Sequence, residues 1–339
     1  LMGSEMCIRD RVGAFCIGTN QLALDDLARA GVAAFNAPFS NTRSVVELVI
    51  SEIIALARRL GDRNTQMHHG VWRKSAIGSH EVRGRTLGIV GYGNIGAQIS
   101  VLAEALGLSV MYYDVADKLP MGNAHRCDSL EELLQSVDVV TVHVDGRADN
   151  TLLFGEQEFS MMRPRSLFLN LSRGHVVDVA ALADNLRTGH LAGAAVDVYP
   201  SEPRSGDEPF VSELQSLDNV ILTPHVGGST QEAQIDIGRY VAGKLIDYSE
   251  RASTSMSVNL PDITTGATPG ARIGHLHLNM PGIMADLNRL VADHGGNVTY
   301  QALATRGELG YTVLDIDETD RELLVDVTRL EGTIRARVL

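Results

Sequence analysis

The chain has 339 residues, 44% hydrophobic and 21% charged, which fits a globular protein of about two to three domains at roughly 100–200 residues each. A formal net charge of −13 argues against nucleic acid or an anionic membrane surface as partner, and an anionic substrate then requires a local cluster of arginines. Three cysteines (Cys7, Cys16, Cys127) make no C-x-x-C and no paired framework, which points to a reducing cytoplasm, and no apolar run reaches the roughly 18 residues of a membrane span.

Residues 1–11 show no helix or strand period and no signal-peptide core, and read as a foreign or artefactual leader. A strand at 12–17, a helix at 22–30 stopped by Gly31 and a strand at 32–35 read as the tail of a βαβ layer, so 12–40 is the remnant of a domain. Residues 44–60 form an amphipathic helix with Val45, Leu48, Val49, Ile53, Leu56 and Leu60 on one face, suited to a core or an oligomer contact. Strands are then expected at 86–90, 109–113, 137–142, 167–170, 194–198 and 220–223. Helices are expected at 97–106, 129–135, 155–162, 179–188 and 231–248. Apolar strands alternating with helices predict an α/β, Rossmann-like, doubly wound parallel sheet over 41–228, with 229–253 returning to the first domain. Residues 254–270, with Pro261, Thr264, Thr265, Gly266, Pro269 and Gly270, read as a linker. Beyond it lies a β-α-β-β-α-β order at 271–278, 281–294, 297–305, 310–315, 318–329 and 333–338, a ferredoxin-like domain over 271–339. Pro281 is placed at the start of its first helix, and Gly295 and Gly296 at the end.

The segment Gly91-Tyr92-Gly93-Asn94-Ile95-Gly96 follows the first strand of the sheet, and Asp114 ends the second. Gly91 permits the turn, Gly93 lets a pyrophosphate approach the backbone, and Gly96 lets helix and strand pack closely. The helix N-terminus offers N–H groups and a positive dipole end to phosphates at Asn94 and Ile95. Asp114 is placed to accept from both ribose hydroxyls and to repel a 2′-phosphate, so the cofactor expected is NAD rather than NADP.

Three segments at the carboxyl ends of later strands, where ligands of open α/β sheets sit, carry candidate chemistry: Asn170-Leu171-Ser172-Arg173-Gly174, Asp197 to Pro203, and Thr223 to Thr230. Hydride transfer between NAD and a carbinol carbon needs a base with a pKa near neutrality for the hydroxyl proton. His225 is assigned as acid/base, Glu202 as the carboxylate that fixes its tautomer, and Arg173 as a clamp for a substrate carboxylate. Asp197 is expected near the nicotinamide carboxamide. His68-His69 and His80-Glu81 are read as solvated loop residues, and no metal is expected.

These motifs resemble the D-isomer-specific 2-hydroxyacid dehydrogenases. More narrowly, Ile17-Gly18-Thr19-Asn20-Gln21, residues 36–44 and residues 227–234 resemble the bacterial-type D-3-phosphoglycerate dehydrogenase branch with a C-terminal ACT domain. The resemblance runs from about Val12 to Leu339. It implies a flavodoxin-like parent fold for the 12–40 remnant and oxidation of 3-phospho-D-glycerate in L-serine synthesis. It carries over the roles of Arg173, Glu202 and His225. It adds Leu171, Ser172, Arg173, Asp197, His225, Val226, Gly227 and Gly228 to the NAD contacts, and Asn41 and Gln234 on the substrate side. It also implies a homotetramer and feedback by L-serine at His277, Asn279 and Asn297. Asn supplies both the donor and the acceptor that an amino acid requires. Two departures stand out. Pro269-Gly270 replaces a glycine pair, which predicts a stiffer hinge and weaker serine inhibition. Family members also carry a further stretch ahead of the position of Val12, so the chain reads as N-terminally truncated, with NAD binding kept and turnover poor. Two alternatives stay open: another D-2-hydroxyacid dehydrogenase with an ACT sensor, and a non-catalytic NAD- or serine-binding fragment.

Overall fold

The computed structural model describes residues 10–19, 21–203, 205–268, 270–317 and 321–339. Residues 1–9, within the segment read above as a leader, and Pro269, read as part of a hinge, lie outside them. Two compact units are present: residues 41–233, and residues 10–40 together with 234–339.

The first unit is built on a seven-stranded sheet. Its strands are β3 (Thr86–Val90), β4 (Ser109–Tyr113), β5 (His125–Arg126), β6 (Val139–Val142), β7 (Ser166–Asn170), β8 (Leu191–Val196) and β9 (Val220–Leu222). They lie in the order β5-β4-β3-β6-β7-β8-β9, all parallel. The order reverses between β3 and β6, where doubly wound sheets open the crevice that takes a ligand. Helices α2 (Thr42–Arg58) and α4 (Asn94–Ala105) cover one face through Val49, Ile53, Ile99 and Ala103. Helices α5 (Leu130–Ser136), α6 (Glu156–Met161) and α7 (Val179–Arg187) cover the other through Leu133, Phe159 and Leu182. Strands buried on both faces are what a parallel sheet requires, hence their near-continuous apolar runs.

Several boundaries differ from expectation. The helix expected to reach residue 60 breaks at Arg59, which takes a left-handed φ of 53°. A separate helix, α3 (Leu60–His68), follows. It buries no residue, so it left no apolar period to read. His68 therefore closes a helix rather than lying in a loop. The edge strand β5 also went unread, because two exposed polar residues carry no alternation. Helix α4 begins at Asn94, directly on the glycine turn and three residues before the position expected.

The second unit contains a short parallel pair, β1 (Arg11–Gly13) with β2 (Ala33–Phe35), flanking α1 (Leu24–Arg29). The expected strand at 12–17 is thus only a stub. The long helix α8 (Gln231–Arg251) runs through the boundary into this unit. Then come β10 (Ala271–Leu278), α9 (Ile283–Asp293), β11 (Val298–Arg306), β12 (Leu309–Ile316), α10 (Arg321–Arg329) and β13 (Thr333–Val338). The sheet order β11-β12-β10-β13, wholly antiparallel, is the ferredoxin-like arrangement expected. Pro281 does not open α9. Gly282 is the N-cap, with φ 92°, and the helix starts at Ile283.

The alternation along β10 divides this unit. Ile273, Leu287, Leu314 and Val327 form a core under the two helices. Leu276, Tyr311 and Val313 share the opposite core with Phe35, Tyr248, Leu260 and Ile263. Residues 252–268 form no helix or strand, yet Thr254, Leu260 and Ile263 are buried. Asn259 donates to the Val32 carbonyl and accepts from Ala34 N–H, which ties the segment to β2. Arg272 makes a buried two-pronged ion pair with its cross-strand neighbour Asp315, both bonds 2.6 Å, and donates to the carbonyls of Arg251 and Gly266. Truncating one partner of such a pair leaves the other charge buried and alone. Arg272→Ala should therefore cost about 3–5 kcal/mol in urea unfolding, while Arg272→Met with Asp315→Leu should cost far less.

Candidate active site

The glycine turn ends β3. Gly91 has φ 90°, and a Cβ there would lie 2.6 Å from the His143 carbonyl oxygen. At Gly96 a Cβ would lie 2.5 Å from the Gly91 oxygen. The turn and the first helical residues are in contact as close as backbones allow. Gly93 is different. Its φ is −85°, and a Cβ would meet nothing within 4 Å. Neither packing nor backbone geometry asks for glycine there, which is the pattern expected where a ligand must approach the main chain. Helix α4 carries no side-chain cap at this end, so its leading N–H groups can serve an anion.

Asp114 stands one residue beyond β4. Its Oδ2 accepts from Tyr92 N–H at 2.7 Å and its Oδ1 from Ala116 N–H at 2.8 Å. The ribose candidate is thereby fixed to the glycine turn. The Tyr92 and Tyr112 rings stack at 3.8 Å and hold the same two strand ends together. Across the turn, His143 is half-buried, with Nδ1 enclosed and Nε2 against the Thr141 hydroxyl at 2.8 Å. Burial pushes its pKa down to about 3, so it is a neutral packing group.

The acid/base candidates meet as predicted. His225 Nδ1 lies 2.8 Å from Glu202 Oε2, and Glu202 Oε1 accepts from Tyr199 N–H at 3.0 Å. A carboxylate only accepts, so the shared proton sits on Nδ1, which leaves Nε2 outside this bond. His225 has a left-handed φ of 55°, a backbone state costly for a residue with a Cβ. Asp197 holds it there. Asp197 Oδ1 accepts from Thr223 Oγ1 at 2.6 Å and Val226 N–H at 2.9 Å, and Oδ2 accepts from Gly227 N–H at 2.8 Å. Asp197, expected beside the nicotinamide, is thus also the anchor of the histidine turn. Glu202 and His225 open onto a cleft of about 700 Å³ shared with Tyr199, Phe210, Thr223 and Pro224.

The Arg173 segment packs against this group. A Cβ on Gly174 would fall 1.9 Å from the Tyr199 carbonyl carbon, so any larger residue would push the two loops apart. Asn170 shapes the turn: its Oδ1 accepts from Ser172 N–H and Oγ, and its Nδ2 donates to the Arg173 carbonyl. Leu171 and Ser172 are buried, so they offer a ligand main chain rather than side chains. The Arg173 guanidinium donates to the Ser172 carbonyl at 2.7 Å. Asn41 lies against Gly228, where a Cβ would come within 2.1 Å of its Nδ2. Gln234 belongs to the other unit. Sequence reasoning placed Thr223, Tyr199 and Asn170 in the candidate segments but gave them no role. Only Asn170, an Asx residue two positions before a polar turn residue, carried a local signal.

The effector candidates are spread over the small sheet. His277 is buried, its Nδ1 against the Leu278 carbonyl and its Nε2 against the Thr312 hydroxyl. Asn279 follows β10 at the Leu309 end, while Asn297 precedes β11 at the Ile316 end. An eight-residue strand separates those ends, roughly 27 Å. A single ACT unit cannot present all three to one small molecule. His80 and Glu81 are exposed, and among the described residues no group of three His, Cys, Asp or Glu could hold a metal. The three glycines of the turn can be told apart by experiment. Gly93→Ala should keep wild-type thermal stability and lower NAD affinity at least about tenfold by calorimetry, whereas Gly91→Ala should lose stability first.

Comparison with known proteins bears on this geometry. Residues 50–227 match the D-isomer specific 2-hydroxyacid dehydrogenase, NAD binding domain, and residues 273–335 match an AHAS small subunit-like ACT domain. The chain is 50% identical over 331 residues to D-3-phosphoglycerate dehydrogenase of Escherichia coli (strain K12), covering 97% of this chain and 81% of that one. It is 47% identical over 330 residues to the D-3-phosphoglycerate dehydrogenase of Dictyostelium discoideum, covering 97% and 81%. Among solved structures, D-2-hydroxyisocaproate dehydrogenase superposes with a TM-score of 0.69 at 26% identity, over 74% of this chain and 79% of that one. No helix among the described residues is long and apolar enough to cross a membrane. The chain belongs to the NAD-dependent D-isomer-specific 2-hydroxyacid dehydrogenases, in their D-3-phosphoglycerate dehydrogenase branch with a C-terminal ACT domain.

Proposed function

We propose that this chain oxidises 3-phospho-D-glycerate to 3-phosphohydroxypyruvate with NAD, in the cytoplasm, as the step that commits carbon to L-serine. The observation that carries the reading is the Glu202–His225 pair, held on the Asp197 turn and packed against the Arg173 loop. Bound NAD supplies the hydride acceptor. His225 Nε2 takes the proton of the C2 hydroxyl as the hydride leaves C2, and Glu202 stabilises the imidazolium that forms. Arg173 binds the C1 carboxylate through its fork of donors and turns C2 toward the cofactor crevice. Asn94, Ile95 and Gly96 present main-chain N–H groups to the pyrophosphate, and Asp114 receives the ribose. Leu171, Ser172, Val226, Gly227 and Gly228 line the nicotinamide half by backbone contact, and Asn41 lies on the substrate side of that turn.

We further propose a homotetramer inhibited by L-serine. His277 and Asn279 sit at one end of the small sheet and Asn297 at the other, so an effector contacting all three needs two ACT copies side by side in opposite directions. Each site then takes His277 and Asn279 from one copy and Asn297 from the next. Serine binding is thereby linked to assembly, as allostery between two global states requires.

NADH formation from 3-phosphoglycerate, D-lactate and glycolate tests the substrate assignment. Preference for 3-phosphoglycerate is expected, and turnover of another hydroxy acid alone would overturn it. His225→Ala should lower kcat about 10²–10⁴-fold, while Arg173→Ala should act mainly on substrate KM. L-serine should suppress the rate of the wild-type chain and leave Asn279→Ala unaffected.

A further inference from the structure

Helix α2 buries a carboxyl group that no part of this mechanism uses. Its inward stripe is apolar, with Val45, Val49, Ile53 and Ala57 buried, and Glu52 lies in the same buried layer at 4% exposure. Among the described residues neither Glu52 oxygen finds a hydrogen-bond donor. The helix packs against α3, α4, β7, β8 and β9. The titratable groups of these surroundings are Arg43, Glu47 and Arg58 on α2, Asp62, Arg63 and His68 on α3, and Glu104 on α4. Beyond the strand ends come Asp197, Tyr199, Glu202 and His225, and β7, β8 and β9 themselves carry none. Of all of them, Asp197 is the charge that acts on Glu52.

Glu52 is buried without a donor on α2, which packs against β8, the strand that Asp197 follows, and a second charge in that layer is disfavoured at neutral pH. The carboxyl with donors keeps its charge. Asp197 has three, from Thr223, Val226 and Gly227. Glu52 has none, and burial followed by the charge of Asp197 pushes its pKa up to about 8.

We propose that Glu52 is a positioning residue, kept protonated so that Asp197 alone carries charge behind the His225 turn, and that its ionisation loosens this turn and sets the alkaline limit of turnover. The proposal rests on the catalytic role of His225 given above. A second negative charge would compete with the field that draws the Val226 and Gly227 N–H groups onto Asp197, and His225 would relax from its left-handed backbone. The sign follows from linkage. The unfolded carboxyl titrates at 4.5 and the folded one higher, so the stabilisation due to neutral Glu52 is complete below 4.5 and disappears as pH rises through about 8.

Glu52→Gln keeps the shape and removes the titration, and Glu52→Met does so with an apolar side chain. The pH profile of kcat/KM, each variant scaled to its own value at pH 7, should fall in the wild-type chain above about pH 8 and extend at least about one pH unit higher in both variants. Infrared difference spectra and the pH dependence of the melting temperature need neither substrate nor turnover. They should show a neutral carboxylic-acid carbonyl band at pH 7 that is missing from Glu52→Gln, and a stability loss that runs from 4.5 to about 8, levels off above it and is missing from both variants. Superimposable alkaline limbs, or no such band in the wild-type chain at pH 7, would overturn the proposal. A correct band and melting profile with no activity toward 3-phosphoglycerate would instead count against the substrate assignment alone.

Discussion

The carboxylate of Asp197 is the constraint on which the candidate site depends. It lies one residue past β8, buried, and its two oxygens take up the Thr223 hydroxyl and two consecutive N–H groups after β9. A left-handed histidine costs on the order of 1–3 kcal/mol unless its surroundings over-determine it. Asp197 supplies that determination, and Glu202 adds a second hold from the imidazole side. The histidine is thus fixed in backbone and in ring orientation by two acids that follow the same strand.

The sheet order decides what else can reach this place. Because all seven strands run parallel, with β3 between β4 and β6, the glycine turn, Asp114 after β4 and the loops after β6, β7 and β8 all emerge at one edge. The parallel register, Val90 beside Tyr113 and Val142, and Asn170 beside Val196, brings their last residues level. Close backbone contact then replaces side-chain glue. Gly91 lies on His143, Gly96 on Gly91, and Gly174 on Tyr199. These contacts leave no space for a Cβ, while Gly93 has space to spare, and the difference separates glycines kept for the fold from one suited to a ligand.

Much of this was legible in the sequence because parallel strands advertise themselves as apolar runs and the chemistry follows directly after them. Gly91 to Gly96, Asp114, Arg173, Glu202 and His225 all lie within a few residues of a strand end. What escaped was either featureless or non-local. Helix α3 buries nothing and β5 has two exposed residues, so neither imposes a period. The anchoring role of Asp197 depends on residues 26 to 30 positions away, and no local pattern encodes that. Residues 252–268 have a linker's composition, yet Asn259 and the buried Leu260 and Ile263 pack them into a core shared with β2 and the ACT sheet. Likewise no local pattern shows that His277, read as an effector residue beside Asn279, also bonds the Leu278 carbonyl and the Thr312 hydroxyl of the facing strand.

The buried ionisable groups follow one rule, and it gives the two units different sensitivities. A charge is kept where donors or a counter-ion surround it, as at Asp197 and at the Arg272–Asp315 pair. It is given up where they do not, as at Glu52, His143, His275 and His277. Burial lowers the pKa of His143 and of His275 to about 3, against 6.5 in the open chain. The unfolded chain therefore takes up protons that the folded one refuses, and the stability tied to these neutral rings is whole above 6.5 and drains away as pH falls toward 3. His143 lies in the nucleotide-binding unit and His275 in the ACT-bearing unit, so acid weakens both. Glu52 lies only in the first. Its neutral form is lost as pH rises through about 8, a sensitivity that this carboxyl adds to the nucleotide-binding unit.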